Sequence, residues 1–139
     1  MAGKYDKQIM KAPVSPKSHP EITSPIVTLR GGADWGGVPI SIRFEPITQP
    51  LLMIKEPHKH EFNQFLCFLG GNATDFTGFD AEIELCLGEE VEKHVITAAS
   101  FVFVPAGLIH GPLNFKVIRK PVLFCDVQLT AQYKRLPAK

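Results

Sequence analysis

The chain has 139 residues, 45% hydrophobic and 21% charged, with 15 Lys+Arg against 14 Asp+Glu. That length suits one domain and can bury a core without disulfide staples, while a net charge of +1 and the lack of any basic cluster give no ground for nucleic-acid binding. No apolar run nears the ~18 residues of a membrane span, and the opening MAGKYDKQIM lacks the apolar centre of a secretory leader, so a cytoplasmic, reducing setting away from membranes is expected.

Residues 1–25 hold Pro13, Pro16, Pro20 and Pro25 among lysines and serines, with no period of 2 or 3.6, and are expected to form an irregular arm ahead of a barrel domain over 26–139. From Ile26 onward the pattern is that of strands. Ile26–Arg30 comes first; Val38, Ile40, Ile42 and Phe44 then alternate with Pro39, Ser41, Arg43 and Glu45, as in a half-buried strand. Leu51–Glu56 and Gln64–Leu69 follow. Gly70–Asp80 reads as a loop, polar but for two phenylalanines, and is a candidate lid. Ile83, Leu85 and Leu87 alternate with Glu82, Glu84 and Cys86, and further strands are expected at Val91–Thr97, Ser100–Val104, Phe115–Arg119 and Pro121–Leu129. Turn chemistry separates them at Gly31-Gly32, Gly36-Gly37, Gly70-Gly71-Asn72, Leu87-Gly88 and Pro105-Ala106-Gly107. Many short strands and no amphipathic helix make an all-β sandwich or barrel the expected class.

Phe65 and Cys67 share one face of Gln64–Leu69 while Gln64, Leu66 and Phe68 share the other, so both faces are rich in apolar groups. A second sheet, the N-terminal arm or a second subunit is needed to cover the outside. Cys67, Cys86 and Cys125 are too few and too far apart for a disulfide framework or a C-x-x-C pair, and are expected as buried small hydrophobes.

Three of the five histidines fall in two compact clusters. In P-H-K-H-E-F-N-Q, His58 and His60 are two apart and on a strand point to one side. Glu61-Phe62-Asn63 reads as a turn, so Gln64 opens the next strand, facing back, and Glu61 lies outside the site. In P-A-G-L-I-H-G-P-L-N, Pro105 and Gly107 suit a tight turn, His110 begins the returning strand, and Asn114 is expected to satisfy turn backbone groups. Three neutral imidazoles and one side-chain oxygen (His58, His60, His110 and Gln64) form a sensible ligand set for a divalent transition metal. His94 reads as an ordinary strand residue, and His19 in the arm carries no argument.

These two segments resemble the paired motifs of the cupin superfamily. His58, His60, Gln64 and Gly70 match the first motif, and Pro105, Gly107, His110 and Asn114 the second. The resemblance implies a double-stranded β-helix, or jelly-roll barrel, with a metal held inside by three histidines and a carboxylate, and a homodimer formed through sheets or exchanged N-terminal strands. The chain departs from the pattern at Gln64, where the family usually carries Glu. A neutral amide oxygen leaves the ion's charge uncompensated, which favours Zn, Ni, Cu or Fe over harder ions and favours a bound water or an anionic ligand. Alternatively Gln64 leaves the ligand set and hydrogen-bonds a metal-bound water.

The resulting expectation is a metal-binding cupin acting on a small molecule inside the barrel, inclined towards a dioxygenase-type oxidoreductase, because a three-histidine site with open positions suits oxygen chemistry. Leu66, Phe68 and Phe103 are expected as pocket walls, and Glu56 as a general base if it faces inward. The alternative, favoured by the missing carboxylate, is a small-ligand-binding or sensor domain without turnover.

Overall fold

The structure is a computed structural model and describes residues 3–132 and 135–138. Its strands are β1 (Val14–Ser15), β2 (Ile26–Arg30), β3 (Ser41–Ile47), β4 (Leu51–Ile54), β5 (His58–Lys59), β6 (Gln64–Gly70), β7 (Ala81–Leu87), β8 (Glu92–Ile96), β9 (Ser100–Val104), β10 (His110–Ile118), β11 (Val122–Gln128) and β12 (Leu136–Pro137). Among the described residues, helix is confined to one α-turn at Gly31–Asp34, where the glycines read as a simple turn, and a 3-10 turn at Asp6–Gln8. One antiparallel sheet runs β1-β2-β3-β11-β6-β9; the other runs β12-β5-β10-β7-β8, with β4 also paired to β10. This is the expected jelly roll, in which sequence neighbours often lie in opposite sheets.

Register explains what the barrel holds. Across the first sheet, Ser41, Gln128, Gln64 and Val104 form one inward row; Arg43, Asp126, Leu66 and Val102 form the next, and Glu45, Phe124, Phe68 and Ser100 the third. The lumen is therefore polar at the end where β6 begins and apolar where it finishes. There Phe68, Phe115 and Phe124 pack with ring centroids 5.2–6.0 Å apart and exposures of 0–2%. Burying each such ring stabilises the fold by ~2–3 kcal/mol, which makes this end the anchor of the barrel.

The outward rows are apolar throughout. Val14, Val27, Phe44, Cys125, Cys67 and Phe101 lie side by side across all six strands, with Leu29, Ile42, Val127, Phe65 and Phe103 as a second row. The alternation in β3 is as expected but its faces are reversed: the strand starts at Ser41, Glu45 is only 2% exposed, and Ile42 and Phe44 face out. Period 2 reports two faces without saying which is inner, and a polar lumen inverts the usual assignment. Phe103 belongs to the outer face, 52% exposed with its ring tilted against that of Phe65 at 5.1 Å, and does not line the cavity beside the histidines. The arm does not cover this face; its β1 extends the sheet edge instead.

Cys86 and Cys125 are buried and Cys67 is half-buried. Burial pushes the Cys67 and Cys125 thiols up, the latter to about 11, so both stay protonated at neutral pH.

Candidate metal centre

Two turns bring the histidines together. Pro105–Leu108 closes with Leu108 N–H on the Pro105 carbonyl at 3.1 Å, and Gly107 adopts φ +85°, as a type II turn requires. The Gly107 N–H then donates to the His60 carbonyl at 2.8 Å, and the Ala106 N–H to Asn63 Oδ1 at 3.0 Å. The loop carrying one histidine is thus tied directly to the loop carrying another. His58 on β5 pairs with His110 at the start of β10.

Parity alone does not place His110 correctly. His110 and Leu113 are three apart, yet both are buried, 1% and 0% exposed. The β10–β7 register shifts between them, at Gly111, whose φ is +103°. That irregularity turns both side chains inward.

The ring centroids lie 4.4 Å (His58–His110), 4.9 Å (His58–His60) and 5.1 Å (His60–His110) apart, and one ligand nitrogen from each lies within 4.8 Å of the others. His110 Nδ1 is 3.1 Å from the Leu108 carbonyl and His58 Nδ1 3.3 Å from that of Glu56. A carbonyl only accepts, so these Nδ1 atoms carry the hydrogens and each Nε2 presents a lone pair. Burial lowers both pKa values to about 4, with a neighbouring histidine adding to the effect. Both rings are therefore neutral, the form that binds metals.

Gln64 is 3% exposed. Its Nε2 donates to Asp126 Oδ1 at 2.6 Å, and Gln128 Nε2 donates to Asp126 Oδ2 at 2.9 Å. The amide nitrogen is committed to a carboxylate, which leaves Gln64 Oε1 as its free end. Gln64 Oε1 and His110 Nε2 are both buried without a hydrogen-bond partner, a costly state for polar atoms unless something else meets them. An ion is one such partner, and the donor set fits one.

A cavity of about 510 Å³ adjoins His58, Gln64 and His110 and is also lined by Ser18, His19, Arg43, Glu45, Glu56, Asp126 and Arg135. Leu66 lines it as expected, whereas Phe68 sits in the apolar anchor. Alternation with Ile42 and Phe44 marks Arg43 and Glu45 as outward in the sequence, and nothing in Pro121–Leu129 singles out Asp126. Nothing in the arm marks His19 as returning to the barrel. Glu61 is exposed, and Asn114 lies within β10, where its side chain bonds that of Glu84 rather than a turn. His94 lies on an edge strand, paired with Glu92 at 2.6 Å. Among the described residues, none from Gly70–Asp80 lines the cavity. That loop follows the far end of β6, ~20 Å from Gln64.

No family model matches the sequence, and comparison with curated proteins finds no match. Solved structures do match. An oxalate oxidase superposes with a TM-score of 0.58 at 14% identity, over 95% of this chain and 64% of that one. A Bacillus subtilis oxalate decarboxylase with Mn(II) centres gives 0.54 at 10% identity, over 99% and 37%. The Lactobacillus farciminis oxalate decarboxylase, as a formate complex, gives 0.58 at 12% identity, over 89% and 33%. The chain thus spans less than two thirds of the length of these enzymes. Among the described residues no helix is long and apolar enough to cross a membrane. With two antiparallel sheets closed around a three-histidine cluster and these neighbours, the fold of this chain is the cupin double-stranded β-helix.

Proposed function

We propose that the chain holds a divalent transition metal through His58, His60 and His110, with Gln64 Oε1 as a fourth ligand or as the acceptor for a metal-bound water, and acts on a small molecule in the adjoining cavity. The observation that carries this reading is three buried imidazoles with ligand nitrogens within 4.8 Å of one another, of which His58 and His110 are held neutral by burial. A bound ion supplies Lewis acidity or a site for oxygen. The chain's own residues do the rest: Asp126 holds the Gln64 amide, and the Leu108 and Glu56 carbonyls fix the rings. Arg43, Lys55 and Arg135 share the cavity wall with Glu45, Glu56 and Asp126, a lining of both signs that suits a small polar ligand. Among oxidoreductases a dioxygenase-type reaction is favoured, since three histidines leave positions open. The neutral Gln64 favours Zn, Ni, Cu or Fe, in contrast to the Mn(II) of the B. subtilis decarboxylase.

The second reading is a ligand-binding or sensor domain that uses the same pocket without turnover, and the neutral Gln64 is what favours it. Glu56 is exposed beside the pocket, a poor position for a general base. Metal analysis of untagged protein purified without added metal tests the centre. Oxygen uptake with catechols, thiols, β-diketones and oxalate, in wild type and in His60→Ala, separates enzyme from binder. Turnover that survives His60→Ala removes the metal from that activity.

The apolar outer face supports a homodimer. Its rows, with Leu69, Leu123 and Pro46 beyond them, have a footprint on the order of 500 Å² from strand spacing, at the upper end of what monomers expose. The proposed organisation is an arm over 1–25, with Ile22 fully buried in the core, serving a barrel over 26–139. Free thiols suit a cytoplasmic setting.

A further inference from the structure

One wall of the cavity belongs to neither sheet. Ser18 and His19, in the segment between β1 and β2, line it beside Glu45. The segment is held at several points: Ile22 is 0% exposed, Gln49 Nε2 donates to the Glu21 carbonyl at 2.7 Å, and His19 Nε2 lies 3.0 Å from the Met53 carbonyl on β4. Because a carbonyl only accepts, His19 Nε2 carries a hydrogen in this arrangement. The other ring nitrogen, Nδ1, lies 2.8 Å from Ser18 Oγ, and the same Oγ lies 2.9 Å from Glu45 Oε1. A single hydroxyl therefore bridges a buried carboxyl group and an imidazole.

The hydroxyl has one hydrogen for these two contacts. With an ionised carboxylate and a neutral ring, both neighbours are acceptors, and one contact sets lone pair against lone pair. One added proton satisfies both contacts, in either of two forms. In the first, the Glu45 carboxylic acid donates to Ser18 Oγ, and the hydroxyl donates to His19 Nδ1. In the second, the hydroxyl donates to the carboxylate, and an imidazolium Nδ1–H donates to Oγ. The forms interconvert when a proton passes from Oε1 to Oγ as the hydroxyl's own proton passes to Nδ1, with no change in total charge.

We propose that Glu45, Ser18 and His19 form a proton-latched cover on the cavity: the 18–22 segment stays seated while one proton is shared along the chain and loosens when that proton is lost. The latch also gives the cavity a buried acid–base group, Glu45, wired through Ser18 to the arm. It goes beyond the metal reading and needs no ion, since none of its members is a proposed ligand.

The surroundings agree. Burial raises the Glu45 pKa and Asp126 on β11 raises it further, while the Ser18 hydrogen bond, Arg43 on the same strand and His19 pull it down; the net direction is up. Phe124 on β11, its strand partner, brings no charge, and Lys55, Glu56 and Arg135 line the same cavity. A carboxyl raised in the folded state keeps its proton below that value and gives it up as pH rises through it, so the cover is seated at low pH and freed at high pH.

Trypsin reads the latch directly, because it cuts after Lys17, next to the bridging hydroxyl. The full chain is digested from about pH 6 to about pH 9, and each rate is divided by that of a free peptide with the same sequence around Lys17. Loss of one hydrogen bond corresponds to a rise of about fivefold in the wild-type ratio. Glu45→Gln, whose amide donates to Oγ as the acid does, is expected to stay slow and flat. Ser18→Ala, at an exposed position that leaves the barrel intact, is expected to be fast and flat. The ring protons of His19, followed by NMR over the same range, should change their titration in both variants. A wild-type rise that persists in Glu45→Gln, a slow Ser18→Ala, or identical His19 titrations in all three proteins would each overturn the proposal.

Discussion

Gln64 occupies a position where a carboxylate would neutralise part of an ion's charge, and the nearest carboxylate, Asp126, stands one hydrogen bond behind it. The arrangement aims an amide oxygen and keeps the negative charge at a distance. Gln64→Glu should therefore tighten Mn(II) or Fe(II) binding by about tenfold or more, measured by calorimetry on metal-free protein. Unchanged affinity would remove Gln64 from the ligand set. Asp126→Asn should weaken every ion about tenfold by releasing the amide to turn over. Acid stability follows from the imidazoles. His58 and His110 have folded pKa values of about 4 against an ordinary 6.5, so the unfolded chain takes up protons first as pH falls. Stability is complete above about 6.5 and declines between there and about 4, by on the order of 3 kcal/mol for each ring. Urea unfolding of the metal-free protein against pH measures this, and a profile flat through that window would contradict the buried, neutral rings. The two clusters were legible in the sequence as short local spacings, whereas the inward turn of His110 depends on the register shift that follows it. Asp126 was not legible, because its contact with Gln64 spans 62 positions in sequence.

At the scale of elements, the centre depends on one irregular peptide stretch. Gly111 lets β10 shift register, so that His110 and Leu113 both face the lumen. A Cβ there would meet Ile54 Cγ2 at 3.0 Å and the Glu56 carbonyl at 3.2 Å, on a backbone at φ +103°. Gly111→Ala should cost about 2–3 kcal/mol in thermal or urea unfolding and lower metal affinity, because Glu56 and Ile54 lead into the His58 strand. Wild-type stability and affinity together would show that the turn has slack. Strand positions were mostly legible from alternation and glycine punctuation, as β6 and β9 illustrate. The orientation of β3 was not. Ser41-Ile42-Arg43-Phe44-Glu45 is equally consistent with either face inward, and only its pairing with β11, Arg43 opposite Asp126, decides the matter.

For the whole molecule, the unusual feature is a sheet with its polar groups inside and its apolar groups outside. Phe101 is 71% exposed and Phe103 52%, and their face runs uninterrupted to Val14 at the opposite edge. Burial of this face against a second copy predicts that Phe101→Glu with Phe103→Glu yields a monomer by sedimentation, with metal content unchanged because the centre opens inside the barrel. A wild-type protein that already sediments as a monomer at micromolar concentration would end the dimer reading. The sequence hinted at this face through the two apolar sides of β6, but its extent depends on six strands aligned in register.

Taken alone, the order of residues determined a β fold, the approximate strands and the identity of three histidines, because period, turn chemistry and short spacings are local properties of a chain. Which side of each strand became the interior, that Asp126 stands behind Gln64, and that the arm returns Ser18 and His19 to Glu45 were decided only by tertiary structure. Those contacts join segments distant in sequence, and closure of the two sheets selects among parities that a single strand leaves equivalent.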